Sequence, residues 1–134
     1  MLSVFPDLLA FGLFAPFLLR ATLGLVFISF GKFKLGRGRT EKTAFFESLG
    51  WKPGSYVAAT LGIIEIAVGV LLLIGLYTQI AALVAAIISL GALILKRKTT
   101  NGIESSSGFL TLLCIISLSL LVSGAGFFAF DFPL

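Results

Sequence analysis

Two charged residues stand inside otherwise apolar stretches, and they are the first candidates for chemistry: Arg20 and Glu65. A charge in hydrocarbon costs on the order of several kcal/mol, so such residues face the protein interior or a cavity, find partners and mark function. The arginine fork offers five donors and keeps its charge, while a carboxylate accepts hydrogen bonds or carries a proton. Gly24, Phe27 and Gly31 follow Arg20 at i+4, i+7 and i+11, and Ala58, Gly62 and Gly69 share a stripe with Glu65 in the same way. Small residues beside a charge let two helices approach closely. Counted from inner boundaries at Gly31 and Tyr56, the two charges lie roughly 16 and 14 Å deep, which predicts a hydrogen-bonded ion pair between the helices. Two roles are open to that pair: a staple between helices, or a site facing a cavity that holds a quinone, another polar small molecule or a transported proton. Arg20, Glu65, Gly24, Gly62 and Phe27 form this candidate ligand-binding or proton site.

The rest of the composition narrows the chemistry. There is no His and a single Cys, Cys114, which excludes an internal disulfide and a C-x-x-C redox pair, and withholds the usual zinc and haem ligand sets. No residue is assigned to a metal or to catalysis by this chain alone. Electron chemistry would require a diffusible cofactor or a partner subunit.

The elements that must position the two charges are membrane helices. Of 134 residues, 58% are hydrophobic and 12% charged, about half the charge a water-soluble surface carries. Four apolar segments fall at about 8–31, 56–76, 78–95 and 109–128, against the ~20 residues that cross a hydrocarbon core. The sequence therefore predicts an all-α, single-domain bundle of four transmembrane helices. Met1 to Asp7 has neither a basic n-region nor a small-residue cleavage site, so the first helix is expected to be retained.

Nine of the ten basic residues cluster in two loops: Lys32, Lys34, Arg37, Arg39, Lys42 and Lys52 in 32–55, then Lys96, Arg97 and Lys98 in 96–108. In a four-span chain these loops share a side, which predicts that they are cytoplasmic and that both termini lie outside. The net charge of +4 is thus a topology signal and an attraction to anionic headgroups rather than a nucleic-acid surface. Within the first loop, Thr40 is expected to cap a short interfacial helix beginning at Glu41, with Lys42, Phe45, Phe46 and Leu49 on one face and Gly50 as its stop. Trp51 and Tyr56 follow at the level of an aromatic belt. That helix either anchors the loop or gates a lateral opening from the lipid.

Two further stripes read as helix seams: Ala81, Ala85, Ser89 and Ala92 on the third segment, and Cys114, Ser117, Leu121 and Gly124 on the fourth. Cys114 itself reads as a small, inert apolar residue.

Several of these runs resemble the DoxX family of small four-helix membrane proteins. Leu19 to Leu35, with its arginine, glycine, phenylalanine and Gly-x-x-Lys ending, is similar to the family's first helix. Glu47 to Pro53 resembles its first-loop signature, Leu61 to Ala82 its second helix, tight turn and third-helix start, and Ser123 to Asp131 its closing glycine-rich tail. Arg20 and Glu65 match the family's polar pair, and Gly124, Gly126 and Asp131 its tail. The chain departs from the pattern at Phe30, where many members carry His, at Ser106-Ser107-Gly108, where an acidic residue is usual and Glu104 is displaced, and at Phe127 in place of arginine.

The resemblance implies a multi-pass protein of a bacterial-type inner membrane, in contact with lipid and with partner redox subunits or a second copy of itself. The family takes its name from a subunit associated with a quinol oxidase and thiosulfate:quinone oxidoreductase. The implied function is an accessory, quinone-linked membrane subunit, with a quinone as its cofactor and Arg20 donating to a quinone carbonyl. A small transporter or permease-like protein and a non-catalytic scaffold or assembly factor are the other readings the residues leave open.

Overall fold

A computed structural model describes residues 5–99, 105–126 and 129–130. Its described elements are all helical: a 3-10 turn at Pro6–Phe11, then α1 Phe14–Leu35, α2 Arg39–Ser48, α3 Gly54–Ile74, α4 Thr78–Lys98 and α5 Ser107–Ser123.

Each boundary has a local cause. A helix beginning at residue 8 would drive the Pro16 ring into the carbonyl of Gly12; with α1 starting at Phe14, Pro16 falls in the first turn, where its missing amide hydrogen has no helical partner to lose. The other end of α1 runs past Gly31 to Leu35, four residues beyond the expected boundary, and closes with the Gly36 amide on the Lys32 carbonyl. Helix α2 starts at Arg39 behind Gly38, so Thr40 lies inside the first turn and does not cap it. Its end forms a Schellman turn: Gly50, at φ 83°, lets the Gly50 amide reach Glu47 and the Trp51 amide reach Phe46. That turn lays the Trp51 ring over Phe46, with centroids 5.7 Å apart and planes 7° from parallel.

Gly75, at φ 76°, ends α3 and starts the tight turn into α4, which begins at Thr78 as expected. The Ser106 hydroxyl caps α5 by accepting from the Phe109 amide at 3.1 Å, and Gly124 at φ 80° stops it. Consequently α5 has 17 residues, fewer than the 109–128 segment suggests. Helices α1, α3 and α4, at 22, 21 and 21 residues, are long and apolar enough to cross a membrane; α5 is a shorter apolar helix.

The packing follows the small residues. Antiparallel α1 and α3 meet at Gly24 against Gly69 and at Gly31 against Gly62, so closely that a Cβ on Gly69 would sit 2.6 Å from the Gly24 carbonyl oxygen. Helix α4 turns its expected stripe inward, with Ala81, Ala85 and Ser89 buried and Ala92 half-buried. The buried face of α5 is Leu110, Leu113, Ser117 and Leu120; Cys114 and Leu121 are half-buried beside it, so the expected seam is rotated and shares only Ser117. Leu23, Phe27, Val68 and Leu72 meet Ala81, Ala82, Ala85, Leu110, Leu113 and Leu120 in the central core. A second, smaller core of Phe45, Phe46 and Ala58 holds α2 on α3. The outward face is the reverse of a water-soluble surface: Leu25, Ile63, Ile80, Ile87, Ile115 and Val122 are all exposed.

Candidate functional site

The glycine contacts fix the register between α1 and α3, and the register separates the two charges. With Gly69 opposite Gly24, Glu65 lies level with Ile28, eight residues from Arg20 and about 12 Å along the axis. Boundaries at Gly31 and Tyr56 would put those two residues level; in the fold Gly31 packs on Gly62, six residues further along α3. The expected Arg20–Glu65 ion pair is therefore not formed, and the two side chains take different partners.

Arg20 is fully buried near the end of the bundle where the α3–α4 turn and the segment after α5 converge. Its Nη1 donates to the Ala125 carbonyl at 3.0 Å, and its guanidinium carbon lies 5.4 Å from the centre of the Phe17 ring. Gly75 is packed so tightly against Nη1 that a side chain there would collide with it, and Gly126 lies against the Leu13 carbonyl and Pro16. Arg20 thus ties the tail to α1 and to the turn. Asp131, Glu104 and Phe127 lie outside the described residues.

Glu65, 1% exposed, is met instead by Lys34, whose Nζ donates to Oε1 at 2.5 Å. Lys34 belongs to α1 rather than to the loop, and its side chain is 18% exposed. The charge-assisted bond satisfies one carboxylate oxygen. The other, Oε2, is buried and has no hydrogen-bond partner among the described residues, and the same holds for Oγ of Ser89 on α4.

Both residues belong to the wall of one cavity of about 550 Å³, at the end of the bundle that carries the basic segments. Helix α1 contributes Phe27, Phe30, Phe33 and Lys34; α2 contributes Lys42, Phe45 and Phe46; Trp51 follows them. Leu61 and Glu65 of α3, Ile88, Ser89, Ala92 and Leu95 of α4, and Leu110 and Leu113 of α5 complete it. The aromatic wall is internally ordered. Phe30 stands edge-on to Phe109 at 6.1 Å, and Lys42 Nζ lies 5.9 Å and 6.0 Å from the Phe33 and Phe45 rings, within cation–π range. Lys42 is 9% exposed, so α2 turns a cation as well as two phenylalanines inward. The interfacial helix is a wall of the cavity.

Of the five residues expected at the site, Phe27 and Glu65 line the cavity together; Gly24 and Gly62 form the α1–α3 seam, and Arg20 stands at the opposite end. Lys34 and Ser89 enter from outside the expected set. The signal for Lys34 was in the sequence: it follows Gly31 at i+3, on the stripe that begins at Arg20. Ser89 read as a small seam residue, and the structure places it in the cavity wall. A volume of this size, mostly apolar and aromatic with a few converging polar atoms, lies in the range of small-molecule pockets.

Comparison with known proteins agrees with the all-helical, apolar architecture. The profile of the family described as DoxX matches residues 15–97. An uncharacterized membrane protein of Mycobacterium tuberculosis is 38% identical over 85 residues, which cover 59% of this chain and 48% of that protein. The chain thus spans about half the length of this relative. No solved structure matches the chain.

Proposed function

We propose, for a chain that belongs to the DoxX family and is a multi-pass membrane protein, that it is the ligand-binding membrane subunit of a redox complex, holding a quinone-type ring in the cavity between Lys34, Glu65 and Ser89. In this reading α5 also crosses the bilayer, the basic segments face the cytoplasm across a bacterial-type inner membrane, and both termini lie outside. The observation that carries the proposal is the cavity itself: about 550 Å³ walled by six aromatic residues, with a buried carboxylate oxygen and a buried hydroxyl that have no hydrogen-bond partner among the described residues. Flat rings stack on aromatic walls, and buried polar atoms are costly unless a bound group meets them. The ring would enter beside α2, and Lys34 and Glu65 would orient its polar edge and exchange a proton with it. The oxidising or reducing partner lies in another subunit.

Between the cavity and the Arg20 end, Leu72, Ala82 and Leu120 are each 0% exposed. Such a packed layer favours a blind binding site over a transporter, and the Gly24–Gly69 and Gly31–Gly62 contacts hold α1 to α3 without requiring the ion pair as a staple.

The chain supplies its own reporter. Trp51 is its single tryptophan and lines the cavity. Decylubiquinone titrated into the protein in phosphatidylcholine nanodiscs should quench Trp51 fluorescence saturably, and Glu65→Leu with Lys34→Met should abolish the saturable part. Quenching that rises only linearly with the quinone content of the lipid would overturn the proposal.

A further inference from the structure

The polar atoms of the cavity carry information about the oxidation state of the ring it takes. Resting on the quinone-type reading above, we infer that the cavity selects the reduced, hydroxyl-bearing form of the ring over the oxidised, dicarbonyl form.

The atoms short of partners set the direction of the preference. Glu65 Oε1 accepts from Lys34 Nζ, and while the proton of that pair stays on the lysine both carboxylate oxygens are acceptors. Oε2 is buried and accepts from none of the described residues, so the group that satisfies the carboxylate there must donate. A quinol hydroxyl donates; a quinone carbonyl cannot, and would set oxygen against oxygen. Ser89 Oγ, 2% exposed and also unsatisfied, accepts as readily as it donates and so tolerates either form. Lys34 offers the opposing preference, because its ammonium has donors beyond the one given to Glu65. Its side chain is 18% exposed, however, so those donors reach solvent at the headgroup level, whereas Oε2 has no such outlet. A buried acceptor left unmet costs more than an exposed donor left to water, and that difference sets the sign of the selectivity.

One ring thus sits among the aromatic walls with a hydroxyl directed to Glu65 Oε2 and a second oxygen able to meet Ser89. No bond is made or broken in this step. The prediction concerns relative affinity, and so the potential of the bound couple, which rises when the reduced form binds more tightly.

The test is anaerobic displacement, read as recovery of Trp51 fluorescence when decylubiquinol competes with bound decylubiquinone. The quinol should bind about tenfold more tightly, the difference expected for one hydrogen bond to a charged group. Its dimethyl ether, which keeps the ring and loses both donors, should compete no better than the quinone. Glu65→Gln, whose amide can donate to a carbonyl, should erase the preference or invert it. Ser89→Ala, a change small enough to leave the fold intact, should weaken both forms while keeping their order. Saturable binding in which the quinone or the dimethyl ether matches the quinol would overturn this inference and leave the binding role standing. Saturable binding of neither form would overturn both.

Discussion

Glu65 sits among apolar side chains, and Lys34 reaches it across the α1–α3 seam at 2.5 Å. Removing one member of a buried pair leaves the other uncompensated, whereas replacing both by apolar groups of similar size is close to neutral. Lys34→Met should therefore cost about 3 kcal/mol of stability, and adding Glu65→Leu should restore most of it, as read by a double-mutant cycle of unfolding in detergent. Additive losses, with the double variant costing the sum of the two single ones, would mean the contact contributes nothing. The same pair shows what a sequence discloses at this scale. That Glu65 must have a cationic partner follows from its residue type and surroundings. Which cation it takes does not, because helix register is set by where glycine backbones touch, and the position of Lys34 beside other basic residues makes it read as a topology signal. Arg20 illustrates the complement: its burial was legible, but the acceptor it meets among the described residues is a backbone carbonyl of the tail, which no side-chain pattern announces.

At the scale of elements, the α1–α3 seam depends on four glycines whose missing Cβ atoms let the backbones touch. Gly31→Ala would place a methyl 2.5 Å from the Gly62 carbonyl oxygen, and Gly69→Ala one 2.6 Å from that of Gly24, so both should lower the midpoint of thermal unfolding in detergent and widen the gap between the helices. Gly91 has open space where its Cβ would be, so Gly91→Ala should be neutral or stabilising by about 0.5–1 kcal/mol through helix propensity. The helices and most of their inward stripes were legible because membrane spans are long and strongly periodic. The ends were less so: Pro16 delays α1, and the φ 80° of Gly124 truncates α5 inside a run that is apolar throughout. Apolarity states how far a helix is permitted to run, and backbone conformation decides where it stops.

For the whole molecule, topology is open to direct measurement. With Cys114→Ser as background, Lys98→Cys should react with a membrane-impermeant maleimide only from the cytoplasmic side, and Leu76→Cys, in the α3–α4 turn, only from outside. Labelling of both from one side would refute the proposed arrangement of α4. The cavity was the least legible feature, because it arises from five elements and the turn after α2 converging, and Ser89, Lys42 and Trp51 acquire their places only from that convergence.

The layer formed by Leu72, Ala82 and Leu120 bears on the electrical behaviour of the molecule. Glu65 lies between that layer and the end carrying the basic segments, so a proton it gives up or gains comes from and returns to that one aqueous phase. Chemistry at this carboxylate would move no charge through the full membrane field. Proton exchange at Glu65 would carry no net proton from one side of the membrane to the other.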